Sequence, residues 1–317
     1  MLHTGSLCNL KCHSCAYRYL SKEQLDVYNN EKMSLTDFEY IVNLCLDFGI
    51  TIFNLTPIIG EPLLNKDLPL HLEFLEKNKR VEKYTFFTNF INLNNHILKI
   101  ISKSTKLHLV ISVSGTEMVS FKKNTGGTLT DFNKFIQNLK RLASMIDIEK
   151  CPSIEFFIRD FRFETSYNDT KTLIEVLSKI TTNKYRKNII TNFHLNGNWA
   201  GLISDKVTQK VGQDCWIKRN NKIGICNYTF TENVILPNFD VLLCGATDVL
   251  RQTKIGNLKT DRLNEIYREG SIFHKILLEQ KNNIFSGCCF NCSEHHKMIP
   301  ETFLSNIKIM GWLNELR

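Results

Sequence analysis

Strand-like and helical patterns alternate through the first two-thirds of the sequence, and that rhythm restricts the fold more than any other feature. Residues 51–59, Tyr84–Thr88, Leu107–Val113, Ile154–Ile158 and Asn188–Leu195 are short and rich in β-branched or aromatic residues, which predicts strands. Helical patterns lie between them. Thr36-Asp37-Phe38-Glu39 reads as a capping box, followed by Phe38, Ile41, Val42, Cys45 and Leu46 at helical spacing. Asp131–Met145 and Asp169–Ile180 carry the same apolar spacing. With a short strand before Cys8, these make about six β/α units, an alternation that builds a parallel sheet with helices outside it. That is too few to close a full barrel, so an open partial barrel and a doubly wound sheet both satisfy the pattern.

From about residue 205 the rhythm changes. Asn233–Leu243 reads as a hairpin turning at Pro237-Asn238, and helical patterns follow at Leu263–Arg268 and Ile272–Gln280. We therefore expect two units, residues 1–205 and 206–317. The 40 Lys and Arg against 32 Asp and Glu give a net charge of +8, but the lysines are scattered along the chain. Such scatter reads as solvated surface, with neither nucleic acid nor membrane as a partner. No apolar run is long enough to span a bilayer, and the first residues lack the pattern of a secretory signal, so a cytoplasmic location is expected.

The eleven cysteines are unevenly placed. Cys8, Cys12 and Cys15 form C-x3-C-x2-C near the start. Cys45 and Cys151 stand alone and read as structural. Cys215, Cys226, Cys244, Cys288, Cys289 and Cys292 fall in the last third. In a reducing compartment this distribution points to metal or redox chemistry rather than a disulfide framework. Three thiolates in one loop hold three corners of a [4Fe–4S] cluster and leave one iron open. The same residues with His13 also make a Cys3His zinc set. Cys226, Cys244, Cys289 and Cys292 supply a complete four-thiolate shell, for an iron–sulfur cluster or for a structural zinc.

The sequence resembles the radical S-adenosylmethionine (SAM) superfamily through more than one motif. Cys8-Asn9-Leu10-Lys11-Cys12-His13-Ser14-Cys15 matches that family's cluster loop. Gly60-Glu61-Pro62-Leu63-Leu64 looks like its GGE motif, with Ile59 where the first glycine usually stands. Thr88-Asn89, Ile111-Ser112-Val113-Ser114-Gly115 and Arg159 resemble later strand ends that contact SAM. The resemblance implies a partial (β/α)6 barrel over roughly residues 1–200. It also implies SAM contacts from Gly60, Glu61, Pro62, Thr88, Asn89, Ser112 and Arg159, with Tyr17 placed to stack near the adenine. The last third resembles the family's twitch domain, a shortened SPASM domain made of a hairpin and helix around one auxiliary [4Fe–4S] cluster. Phe239 stands where that domain's hairpin has a glycine, and Asn238 is the residue expected to take the left-handed position.

The resemblance implies two [4Fe–4S] clusters and SAM as cofactors, with an electron donor such as flavodoxin or ferredoxin. A reduced cluster passes one electron to the SAM sulfonium, and the 5′-deoxyadenosyl radical released abstracts hydrogen from an unactivated C–H bond. Twitch and SPASM enzymes act on small carbohydrates and aminocyclitols, which they epimerise or dehydrogenate, or on ribosomal peptides, which they epimerise or cross-link. The cluster loop lies so near the start that a small polar substrate is the first expectation. Cys215 and Cys288 are the candidate thiols for returning hydrogen in an epimerisation. A non-catalytic protein binding two zinc ions is the alternative from another class.

Overall fold

The computed structural model describes residues 1–145, 152–159, 195–207, 216–217, 221–298, 310 and 312, and the backbone of residues 189–193. The expected helix at Asp169–Ile180, together with Cys151 and Cys215, lies outside the described residues.

Five parallel strands form the main sheet: β1 (Ile52–Asn54), β2 (Lys83–Thr88), β3 (Leu107–Val113), β4 (Ser153–Ile158) and β5 (Ile189–Phe193). They lie in the order β1-β2-β3-β4-β5, so every crossover steps the same way. A doubly wound sheet reverses its order at a switch point. This one does not, which decides for the barrel-type arrangement: the chain is α/β with a partial, open barrel. The strand expected before Cys8 shrinks to Leu2, which donates its N–H to Asn54 O at 2.8 Å and bridges in parallel to Ile235. Beside β1, Leu2 extends the series to a sixth rung. The strand expected over residues 51–59 is only three residues long, because Thr56 begins the turn that carries the chain toward Gly60.

The described helices of this part are α1 (Lys22–Asn29), α2 (Leu35–Asp47), α3 (Leu68–Lys77), α4 (Asn95–Lys103), α5 (Met118–Thr125) and α6 (Leu129–Met145). Helix α2 buries Phe38, Ile41, Val42, Cys45 and Leu46, the stripe its spacing predicts. Its cap is Ser34, whose hydroxyl accepts the Asp37 N–H, so Thr36 lies inside the first turn. The central strands bury Tyr84, Phe86, Leu109, Ile111, Ile154 and Phe156 at 0% exposure. Each such side chain stabilises the fold by about 1.5–3 kcal/mol relative to an exposed one.

Past residue 221 come α7 (Tyr228–Thr231), the strands β6 (Val234–Ile235), β7 (Asp240–Leu242) and β8 (Lys254–Asn257), then α8 (Leu263–Ile266) and α9 (Ile272–Lys281). The three strands form a small antiparallel sheet. The β6–β7 turn does fall at Pro237-Asn238, but Phe239 takes the left-handed backbone (φ +72°), not Asn238. Asn238 instead accepts the Asp240 N–H through its side chain. Phe239 is itself buried, so packing compensates for a conformation that glycine adopts more readily. One hydrophobic core includes barrel residues and Ile235, Val241, Ile255 and Phe273. Among the described residues no helix is long and apolar enough to cross a membrane.

Candidate active site

The cysteine triad sits on the loop between Leu2 and a short 3-10 turn, Ala16–Arg18, and neighbouring backbone fixes its course. Leu7 O accepts the N–H of Glu61 at 2.8 Å, Thr125 O accepts that of Lys11 at 2.9 Å, and Asn124 O accepts that of His13 at 2.8 Å. The loop is thus strapped between the Gly60-Glu61 turn and the end of α5. Gly60 is required there: its φ is +130°, and a Cβ would fall 2.8 Å from the Ser6 backbone. Ile59 is buried with Ala16 and Leu20 and packs under the turn that follows the triad.

Glu61 fastens the strand ends. Its half of the turn is buried, and its carboxylate accepts hydrogen bonds from Leu63 N–H (3.1 Å), Thr88 Oγ1 (2.6 Å) and Asn89 N–H (2.7 Å). Burial pushes this carboxyl up to about 7, against hydrogen bonds that favour the charged form. The Asn89 side chain in turn donates to Asn9 Oδ1 at 2.8 Å, inside the cysteine loop. Phe90 follows with a left-handed backbone (φ +60°), which turns the chain sharply away after the site.

Arg159 stands just beyond β4, half-buried, with its guanidinium 5.0 Å from the Phe157 ring centroid. Its charge acts on both Cys12 and Cys15, and Glu61 acts on Cys8 and Cys12, so triad, Glu61 and Arg159 share one site. Burial pushes the Cys12 thiol up to about 12 and raises Cys8 and Cys15 as well. Thiolates in this setting need a cationic centre beside them. The Tyr17 hydroxyl lies at the Cys8 backbone, and Ser112 is half-buried one residue before the end of β3.

Cys226, Cys244, Cys289 and Cys292 line one cavity, together with Lys222, Tyr228, Thr247, Glu294 and His295. Gln280 ties two of them, accepting from Cys226 N–H at 2.9 Å and donating toward Cys289 Sγ at 3.5 Å. Thr247 Oγ1 lies 3.7 Å from Cys244 Sγ and 3.9 Å from Cys292 Sγ. Burial raises Cys226 and Cys244 and pushes Cys292 up to about 12, whereas a hydrogen bond from Cys288 lowers Cys289. Cys288 is 2% exposed, with its thiol 3.8 Å from Thr253 Oγ1. The Cys288 thiol is also hydrogen-bonded to Cys289. Among the described residues no three His, Cys, Asp or Glu converge tightly enough for a single metal ion.

Sequence reasoning missed the link between the two cysteine groups. Trp199 donates its indole N–H to Ser14 O at 2.7 Å, while Asn198 exchanges hydrogen bonds with Ser293 (2.9 and 3.0 Å) and donates to Asn291 O at 2.8 Å. Trp199, Ala200 and Gly201 all have positive φ (+50°, +56° and +91°), a left-handed run that lets adjacent residues reach different loops. Glu294 packs on the Gly197 backbone, and its carboxyl is pushed up to about 7 by burial, with Arg159 acting in the opposite direction. The two glycines around Asn198-Trp199 were the available signal for an unusual turn.

No family model and no curated protein matches the chain. Solved structures do match. Streptococcus suis SuiB bound to precursor peptide SuiA aligns with a TM-score of 0.54 at 17% identity, over 92% of this chain and 68% of that one. BtrN in complex with AdoMet and 2-DOIA aligns with a TM-score of 0.59 at 13% identity, over 95% and 94%. SuiB and BtrN are radical SAM enzymes, and this chain has their fold. With BtrN the likeness runs nearly the full length of both chains.

Proposed function

We propose that this protein is a radical SAM enzyme: it reductively cleaves SAM and removes a hydrogen atom from a C–H bond of a polar biosynthetic substrate. The observation that carries the reading is the meeting of Cys8, Cys12 and Cys15 with Glu61 and Arg159 at one end of a parallel sheet, where ligands of such sheets bind. The donor set suits the group, because buried thiols with raised pKa values are stabilised as thiolates by iron. Held by those three cysteines, a [4Fe–4S] cluster with one open iron supplies the electron that splits the sulfonium C–S bond.

The chain's own residues bind and orient. Arg159, steadied over Phe157, offers a fixed positive charge to the SAM carboxylate. Gly60 and Pro62 shape a turn whose backbone faces the methionyl amine. Glu61 holds Thr88 and the Asn89 backbone, and Asn89 bonds the cluster loop, so loop and strand ends move as one piece. Ser112 and Tyr17 complete the SAM contacts in this reading. Trp199 covers the loop at Ser14 and excludes water from it.

Cys226, Cys244, Cys289 and Cys292 are the proposed ligands of an auxiliary [4Fe–4S] cluster in a twitch-type unit spanning 206–317. Four cysteines around one cavity match the four thiolates that a [4Fe–4S] cluster takes. The first reading is epimerisation or dehydrogenation of a carbohydrate or aminocyclitol, and likeness to BtrN, seen with AdoMet and 2-DOIA, supports a small-molecule substrate. Likeness to SuiB, seen bound to a peptide, supports a second reading, maturation of a ribosomal peptide. If the reaction is an epimerisation, Cys215 and Cys288 are the candidate thiols for returning hydrogen, Cys288 being buried beside Thr253. Metal analysis after anaerobic reconstitution tests the cofactor reading. About eight iron and eight sulfide per chain fit two cubanes; two zinc ions and no sulfide refute it.

A further inference from the structure

Helix α9 buries Phe273, Leu277 and Gln280, the i, i+4 and i+7 positions of one face. A leucine would suit the third position, yet the chain places an amide there, 1% exposed. Burying an amide costs free energy unless its polar atoms are bonded. Here they are bonded, and the partners are two of the four clustered cysteines. Gln280 Oε1 accepts the Cys226 N–H at 2.9 Å, and Nε2 donates to Cys289 Sγ at 3.5 Å. The first bond fixes the orientation of the amide, because only its oxygen can accept from a backbone N–H. The N–H end is then obliged to face the sulfur.

Other donors to these sulfurs belong to the cysteine loops themselves. The Glu294 N–H reaches Cys292 Sγ at 3.2 Å from two residues on, and Thr247, three residues past Cys244, lies 3.7 Å from its sulfur. Gln280 comes from a separate helix and joins cysteines 54 residues before it and nine after it. Lys222 adds positive charge at the same end, its ammonium donating to the carbonyls of Cys289 and Phe290. A thiolate on iron only accepts hydrogen bonds, and it carries more negative charge when the cluster is reduced. A donor aimed at that sulfur therefore stabilises the reduced form more than the oxidised one and raises the potential.

We propose that Gln280 is a positioning residue of the auxiliary site: it holds Cys226 against Cys289 and, through its N–H on the Cys289 sulfur, raises the reduction potential of the cluster bound there. This rests on the auxiliary-cluster reading given above.

The test is a redox titration of the anaerobically reconstituted full chain, followed by electron paramagnetic resonance with and without SAM. SAM alters the signal of the cluster at Cys8, Cys12 and Cys15, which tells the two clusters apart. Gln280→Met keeps the side-chain volume and removes the amide. In that variant the equilibrium constant for one-electron reduction of the auxiliary cluster should fall about tenfold, a midpoint about 59 mV more negative. The SAM-sensitive midpoint should not move. A merely structural role would lower the unfolding midpoint and leave both potentials in place. A second measurement needs no variant: wild-type protein with a nitrogen isotope in its glutamine side chains should show coupling from that nitrogen in the reduced auxiliary signal. Absence of this coupling, or an unmoved auxiliary midpoint in Gln280→Met protein that keeps its full iron, overturns the role of Gln280. Wild-type protein with no second iron–sulfur signal counts instead against the auxiliary cluster itself.

Discussion

The indole N–H of Trp199 is bonded to the carbonyl of Ser14 at 2.7 Å, joining positions 185 residues apart. Ser14 lies between Cys12 and Cys15, and the residue before Trp199 is bonded to the loop that bears Cys289 and Cys292. One strained turn thus sets the two cysteine groups in register. Trp199→Phe keeps the packing but leaves the Ser14 carbonyl unpaired, at a cost of about 1–3 kcal/mol. Urea unfolding should show that loss, and iron should be retained less firmly at both centres.

Gly60 is a sharper case. Gly60→Ala forces a Cβ to 2.8 Å from the Ser6 backbone in a conformation that L-residues avoid. The expected destabilisation is at least about 2 kcal/mol. Because Ser6 and Leu7 lead straight into Cys8, iron content after reconstitution should fall together with the unfolding midpoint.

The two cysteine groups should lose metal separately. Cys12→Ala is expected to leave about four iron per chain, held by the second group, and Cys244→Ala about four, held by the first. Iron and sulfide assays on the two variants check this. Equal loss of all iron in both variants would mean that the four-cysteine cavity and the triad do not hold independent clusters.

Acid should unfold the protein through two histidines outside these sites. His71 is fully buried, stacked on Phe38 at 4.1 Å, and neither ring nitrogen has a hydrogen-bond partner among the described residues. Burial lowers its pKa to about 4, and that of His3 to about 3. The folded state therefore keeps both neutral, while the unfolded chain takes up protons below about pH 6.5. Their stabilisation is complete above that pH and is lost as pH falls toward 4. Measured by urea unfolding across this range, His71→Phe should have a shallower slope than the wild type.

Much of this was legible in the sequence. β-branched and aromatic runs marked the strands to within a residue or two at β2, β3 and β4, since period-2 burial leaves a strong signature. Sequence patterns did not resolve barrel against doubly wound sheet, because crossover direction leaves no local trace; strand order supplied it. At the β6–β7 turn, residue preference pointed to Asn238, but burial of Phe239 overrode it. The roles of Asn198, Trp199 and Gln280 depend on partners far away in sequence, which spacing cannot reveal.

The central claim is that an iron held by Cys8, Cys12 and Cys15 is left open to bind SAM and split it. Quantifying 5′-deoxyadenosine from reconstituted, dithionite-reduced protein incubated with SAM tests it most directly. The account predicts that deoxyadenosine forms in the wild type and is absent in Cys12→Ala, although the auxiliary iron remains. Wild-type protein that carries its full iron, bleaches on reduction and binds SAM, yet releases no deoxyadenosine, would contradict it.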